Sequence, residues 1–194
     1  MKAKASGKRG WAGIDFFDNS VVVARQLIGK VLLLNGVGGV IVETEAYDQG
    51  EPAAHSFIGE RAHNAALFGP PGRAYVYRSY GIHWCLNLVC REPGYGAGVL
   101  IRAIAPTVGI SIMERRRGRD NPRLLCSGPG RLGQALAVVP ELNGKSVSAS
   151  PFKLANSEGH PKIVRGKRIG LTKAVDLPWR FGLKDSEFLS VPFK

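Results

Sequence analysis

Turn signals cut this chain into runs too short for anything but a sheet of brief strands with a few small helices. Twenty-five glycines and twelve prolines are spread through 194 residues, with short apolar, β-type runs between them. Asp18, Asn19 and Ser20 are candidate caps for a helix over 21–27 that Gly29 ends. Strands are predicted over 30–34 and 39–47, around the turn Asn35-Gly36-Val37-Gly38. Residues 48–72 read as a loop-rich excursion with one helix. Two further strands, 73–77 and 82–89, flank a turn over 78–81, and a strand over 98–103 is stopped by Pro106. Helices are expected over 108–117 and 131–138, followed by short strands and loops. Strands outnumber helices and their connections are short, which gives an α+β fold on a mainly antiparallel or mixed sheet.

The predicted strand 39–47 carries unusual chemistry. After Val40, Ile41 and Val42 come Glu43-Thr44-Glu45-Ala46-Tyr47, and alternation points Glu43, Glu45 and Tyr47 to one face. An acid beside an apolar wall can serve as a general acid or base near neutral pH. A solvent-facing edge strand with ordinary acids is the plainer reading, and spacing does not separate Glu43 from Glu45. Arg102 interrupts the apolar run Val99-Leu100-Ile101 and Ala103-Ile104, and a cation there needs an anionic partner. Glu43 or Glu45 is the natural one, whether as a structural salt bridge or as part of a reacting site.

The densest aromatic stretch runs from Arg73 to Asn87. Tyr75 and Tyr77 share a strand face and could sandwich a planar group. Tyr80 precedes Gly81 at a turn, where its ring would project from a hairpin tip. Rings flanked by Arg73 and Arg78 suit stacking against bases beside a phosphate backbone, and a projecting ring can wedge into a base stack. Trp84 is read as core filler. Asn87 faces away from Trp84 and can hydrogen-bond a base edge, or serve as a buried structural amide.

Charge narrows the partners. The 27 Lys and Arg outnumber 15 Asp and Glu, giving a net charge of +12, a field that attracts polyanions. Nucleic acid leads, with anionic membrane surfaces and ribosomal RNA as rivals. Arg115, Arg116, Arg117 and Arg119, and the basic residues within 162–173, including Lys167 and Arg168, read as phosphate contacts. No apolar run approaches the ~18 residues of a membrane span, and the basic N-terminus lacks the apolar core of a signal peptide. Cys85, Cys90 and Cys126 are too scattered for a disulfide framework or zinc cluster, which favours a reducing compartment. The four histidines lack zinc-ligand spacing, and neither a zinc-deaminase signature nor a nucleophile elbow is present. Gly128-Pro129-Gly130-Arg131-Leu132-Gly133 matches GxGxxG without the strand–helix context of a dinucleotide site, though a helix start there could grip one phosphate.

Taken together, Ile41–Tyr47, Ala53-Ala54-His55-Ser56, Pro71-Gly72 with Tyr75-Val76-Tyr77 and Tyr80-Gly81, Cys85 with Asn87, Val99–Ala103, and Leu125-Cys126-Ser127-Gly128-Pro129 closely resemble the alkyladenine (3-methyladenine) DNA glycosylase family. The resemblance implies base flipping of a damaged purine and cleavage of its N-glycosidic bond, without metal or cofactor. It implies Glu45 as the base that activates water, Arg102 as the residue holding that water and carboxylate, and the Ile169 carbonyl as a further water contact. Tyr47, His55 and Tyr77 resemble the pocket walls, Asn87 the amide that screens the purine edge, and Tyr80 the wedge. Arg73, Arg78, Arg131, Lys167 and Arg168 are the expected contacts to the DNA backbone. The expected architecture is one compact domain, 13–194, on a curved sheet with peripheral helices and a protruding hairpin, behind a basic flexible tail, 1–12. The partner is double-stranded DNA bound by a monomer, with no membrane. The long N-terminal extension of many eukaryotic members is not part of this sequence, which gives the expectation of a bacterial, cytoplasmic protein held at the nucleoid by DNA. Two rival functions remain. One is a non-catalytic RNA- or DNA-binding module. The other is a hydrolase of small nucleosides using Glu43 and Glu45 as acid and base.

Overall fold

The computed structural model describes residues 11–193, so most of the expected tail lies outside the described residues. Trp11 and Ala12, assigned to that tail from sequence, pack on the core instead, Trp11 edge-on to Phe16 at 5.4 Å. Within the described residues the elements run α1 (Ser20–Leu27), β1 (Val31–Leu34), β2 (Val37–Asp48), β3 (Ala74–Ser79), β4 (His83–Val89), β5 (Ala97–Val108), α2 (Ile110–Arg117), α3 (Pro129–Leu136), β6 (Phe152–Ala155), β7 (Ile163–Gly166) and β8 (Arg180–Leu183). The α+β expectation holds: all eight strands join one antiparallel sheet.

The long strand β2 is the spine of this sheet. One edge of β2 pairs with β5 along its length, while the other pairs first with β1 and then with β8. An edge-strand reading of Glu43 and Glu45 is therefore overturned, and both are fully buried. Asn35 and Gly36 connect β1 to β2 with positive φ at both residues (50° and 75°), the two-residue hairpin turn that Asn-Gly favours. The turn is thus tighter than the four residues expected, and Val37 and Gly38 belong to β2. Pro106 does not end β5. It lies opposite Gly39 beside a register shift, and a Cβ on Gly39 would stand 1.9 Å from the Ala105 carbonyl oxygen. The missing side chain lets the backbones approach where proline donates no ladder bond.

A second register irregularity brackets Glu43, leaving Val42 on β2 and Arg102 on β5 outside the pairing. The Arg102 carbonyl instead accepts from the Gly128 N–H at 3.0 Å, at the start of α3. Such irregularities re-aim side chains, and here Arg102 is turned toward the carboxylates. Alternation divides the sheet faces: Val76, Leu86, Val99 and Ile101 enter the main core, which α1 and α3 also build, while Tyr77, Asn87, Leu100 and Arg102 line a cavity on the other face. Asn19 caps α1, accepting from the Val22 N–H at 3.0 Å. In the excursion between β2 and β3 the expected helix is only a 3-10 turn, Ala65–Phe68. Among the described residues no helix is long and apolar enough to cross a membrane.

Helix α3 rests on β4 through Gly133, where a Cβ would stand 2.0 Å from the Trp84 carbonyl oxygen. Backbone cannot yield there as a side-chain tip could. Gly133→Ala should lower stability by about 2 kcal/mol or more through overpacking, and urea unfolding measures it; an unchanged midpoint would mean that α3 is not seated as described.

Candidate active site

Four strands and two loops converge on a cavity of about 530 Å³. Strand β2 supplies Tyr47, β3 supplies Tyr75 and Tyr77, β4 supplies Cys85 and Asn87, β5 supplies Leu100 and Arg102, and loops add His55 and Ile169. Tyr80, from the β3–β4 tip, reaches its mouth. Sequence therefore named most of this wall before the chain was folded.

Beneath the floor lies Glu45, fully buried yet bonded to three residues that line the cavity. Its Oε1 accepts the Ile169 N–H at 2.8 Å, and its Oε2 accepts the Tyr47 hydroxyl at 2.8 Å. Arg102 Nη1 lies 3.2 Å from the same Oε2. The bond from the Ile169 N–H to the carboxylate itself was not among the expectations, which concerned the Ile169 carbonyl and the water. Burial works against the Arg102 charge, but the carboxylates of Glu45 and Glu43 outweigh it and hold the guanidinium firmly protonated. Burial, reinforced by the charge of Glu45 and the hydrogen bond to it, raises the Tyr47 phenol far above its ordinary range, so it remains a donor.

The rings do not stand as expected. Tyr75 and Tyr77 stack on each other with centroids 5.6 Å apart and planes 23° apart. A base between them would need roughly twice the ~3.5 Å contact distance, so they form one wall and no sandwich. His55 closes that wall edge-on, 4.5 Å from Tyr77, with Nδ1 3.0 Å from the Tyr75 hydroxyl. Asn87 Nδ2 donates to the Tyr75 carbonyl at 3.2 Å, which fixes the amide while it lines the cavity. Trp84 is half-buried, with the Arg78 guanidinium 5.7 Å over its ring. Tyr80 is 87% exposed at positive φ (49°), and its neighbour Ile82 is also exposed.

Among the basic residues, Arg78 and Arg131 are exposed near the cavity, Arg78 lining it and Arg131 bonding Ser127 at 3.0 Å. Lys167 is exposed and pairs with Asp176. Arg73 is exposed but precedes β3, at the end remote from the Tyr80 tip, and donates to the Gly144 carbonyl. Arg168 must be corrected: it is no surface phosphate contact. Its guanidinium is buried, bonded to Glu51 at 2.6 and 3.0 Å and to the Ala46 carbonyl at 2.9 Å. It also lies 4.6 Å over the Tyr47 ring and 5.4 Å over Trp179, bracing the wall behind the site.

Sequence reasoning missed Glu51, Arg180 and Ser190. Arg180 sits among Leu177, Trp179 and Phe181, the same pattern of a cation in an apolar run that singled out Arg102. Ser190 carries no local signal. Among the described residues no group of three His, Cys, Asp or Glu side chains could hold a metal ion.

Comparison with known proteins agrees over nearly the whole chain. The family model described as Methylpurine-DNA glycosylase (MPG) matches residues 15–187. A Nitrosospira multiformis protein is 60% identical over 181 residues, covering 93% of this chain and 94% of that protein. A Rhodopseudomonas palustris (strain HaA2) protein is 59% identical over 180 residues, covering 92% and 90% respectively. A Rhizobium meliloti protein is 54% identical over 181 residues, covering 93% and 96%. All three carry the name "Putative 3-methyladenine DNA glycosylase".

The site also makes a pH prediction. Loss of water around the ring, and secondarily the charge of His63, lowers the His55 pKa from its ordinary 6.5. The folded chain therefore takes up this proton later than the unfolded one, and stability falls as pH drops below 6.5. NMR titration of the His55 imidazole should give a midpoint below 6.5, and one at or above it would contradict this reading.

Proposed function

Because this chain belongs to the methylpurine-DNA glycosylase family, we propose that it is a monofunctional glycosylase of base excision repair acting through a water that Glu45 activates. The carrying observation is the buried Glu45 carboxylate, held by Arg102, Tyr47 and the Ile169 N–H immediately behind a ring-lined cavity. The names of the relatives support a DNA substrate carrying 3-methyladenine. A base within a duplex is out of reach of such a site, so the damaged nucleotide must swing out of the stack.

The cavity walls suit that guest. Tyr47, Tyr77 and His55 offer ring contacts to a flat, electron-poor purine, and cation–π attraction favours one made positive by alkylation at N3 or N7. Asn87, fixed by the Tyr75 carbonyl, screens the purine edge. Tyr80 fills the gap the flipped base leaves, and Arg73, Arg78, Arg131 and Lys167 meet phosphates. Ile169 donates to Glu45 Oε1, and a carboxylate oxygen has a second acceptor direction free for a water. That water adds its oxygen to C1′ and gives its proton to Glu45, as the C1′–N bond electrons pass to the departing base. A cationic alkylated purine leaves neutral and needs no general acid. Hypoxanthine and ethenoadenine complete the proposed lesion set. The protein works as a monomer in one glycosylase domain, 13–194, and acts on bacterial DNA at the nucleoid.

A nucleoside hydrolase using Glu43 as its acid is disfavoured, because the Glu43 oxygens are taken up by Arg102, Arg180 and Ser190. Of these only Arg102 lines the cavity, whereas all three partners of Glu45 line it. Glu45→Gln should cut single-turnover release of 3-methyladenine from duplex DNA by about a thousandfold or more, with lesion binding nearly intact; wild-type turnover would remove Glu45 as the base, and no base release by the wild type would leave a binding module. Tyr80→Ala should weaken binding to a lesion duplex by about tenfold, the scale of one stacked ring, with much less effect on an abasic-site analogue already extruded. Equal losses on both ligands, read by titration, would discard the wedge.

A further inference from the structure

Behind Arg102 lies a second buried carboxylate that the chemistry above leaves unused. Glu43 is fully buried and does not line the cavity described above, yet it is heavily bonded. Its Oε1 accepts from Arg102 Nε at 3.0 Å, Arg180 Nε at 2.7 Å and the Ser190 hydroxyl at 2.8 Å. Its Oε2 accepts the Ser190 N–H at 2.6 Å. Ser190 Oγ also lies 3.2 Å from Arg102 Nη2. The segment bearing Ser190 is pinned in turn, because Arg180 Nη2 bonds the Val191 carbonyl and the Phe193 ring lies 3.9 Å from the Arg180 guanidinium. Gly182, opposite Glu43 on β8, makes room for it: a Cβ there would stand 2.3 Å from Phe193.

Arg102 therefore touches two carboxylates through different nitrogens, Glu43 through Nε and Glu45 through Nη1. Two carboxylates and two guanidiniums make a buried cluster of zero formal charge. Such a cluster is tolerated in low dielectric only when every member is bonded. We infer that Glu43, fixed by Arg180 and by Ser190 of the C-terminal segment, is a positioning residue that shares the charge of Arg102 and so governs how strongly Glu45 draws a proton from water. The inference rests on the reading of Glu45 as the base.

The groups facing Glu45 are Arg102 from β5, Tyr47 from its own strand and Tyr77 from β3. Arg168 lies behind Tyr47, and Arg180 pairs with Glu45 across the backbone ladder while its side chain turns to Glu43. Among these, loss of Glu43 removes a negative charge and leaves Arg102 and Arg180 in excess. The extra positive charge stabilises the Glu45 carboxylate and makes it a weaker base. A group that merely filled space would not have this electrostatic effect.

The test is single-turnover release of 3-methyladenine from duplex DNA across pH for the full chain. Glu43→Gln should lower the plateau rate by about tenfold or more and move the acid limb to lower pH, with binding to an abasic-site duplex changed less than about threefold. Ser190→Ala removes no charge but takes a donor from Glu43, leaving more of that carboxylate to Arg102. Its acid limb should therefore move the opposite way, to higher pH, and by less; Ser190→Thr should keep the wild-type limb. An acid limb unmoved in folded Glu43→Gln and Ser190→Ala overturns the inference, even if the rates fall. Should Glu43→Gln not fold, the limb of Ser190→Ala decides alone. If Glu45→Gln keeps the wild-type rate and limb, the reading of Glu45 falls with it. If Glu45→Gln is inactive but the other limbs stay in place, the positioning role falls by itself.

Discussion

One guanidinium organises this molecule. Arg102 is a full charge inside an apolar strand, and leaving it unpaired would cost several kcal/mol, a large share of the net stability of a domain. The fold meets that demand with Glu43 and Glu45 on the adjacent strand, and the demand spreads outward from there. Glu43 then requires Arg180 and Ser190, which draw β8 and the last residues of the chain onto β2. Glu45 requires Tyr47 and the Ile169 backbone, which draws the loop after β7 across the same strand. The register irregularity around Glu43 and Arg102 is the local cost of aiming all of these at one point.

A second buried pair performs a comparable task further along β2. Arg168 and Glu51 are bonded through two guanidinium nitrogens, and the same cation lies over Tyr47 and Trp179. Because Arg168 precedes Ile169 in the chain, fixing one fixes the other, and the N–H that meets Glu45 inherits its placement from that clamp. The acid beneath the floor of the cavity is thus held from two sides by buried ion pairs. Bonded rigidity of this kind suits a site whose guest must be met without reorganisation. The rim is different in character: Tyr80 and Ile82 stand exposed at a hairpin tip, and Tyr80 borders the cavity.

Much of this was legible locally. Asn-Gly announced the first hairpin, alternation put Glu45 and Tyr47 on one face, and an arginine among aliphatic residues announced an ion pair. The Tyr80-Gly81 turn announced an exposed ring. The misreadings share one physical origin. Arg168 looked like its basic neighbours Lys167 and Arg165, since nothing within its own segment reveals that Glu51, more than a hundred residues earlier, awaits it. Pro106 looked like a stop because its missing N–H is a local fact, whereas the glycine that accommodates it belongs to another strand. Tyr75 and Tyr77 shared a face as expected, but their spacing in the packed wall excludes a base between them.

Sequence by itself determined the short alternating strands, the chemistry available on each face and the family to which the chain belongs, because these reside in residue order and local pattern. Only the tertiary structure decided which arginine meets which acid, that Glu45 lies beside the cavity while Glu43 is enclosed, and that Ser190 completes the cluster. Those pairings join segments up to 147 residues apart. Their partners are chosen by sheet register and by the exclusion of water, and neither is encoded in any single stretch of chain.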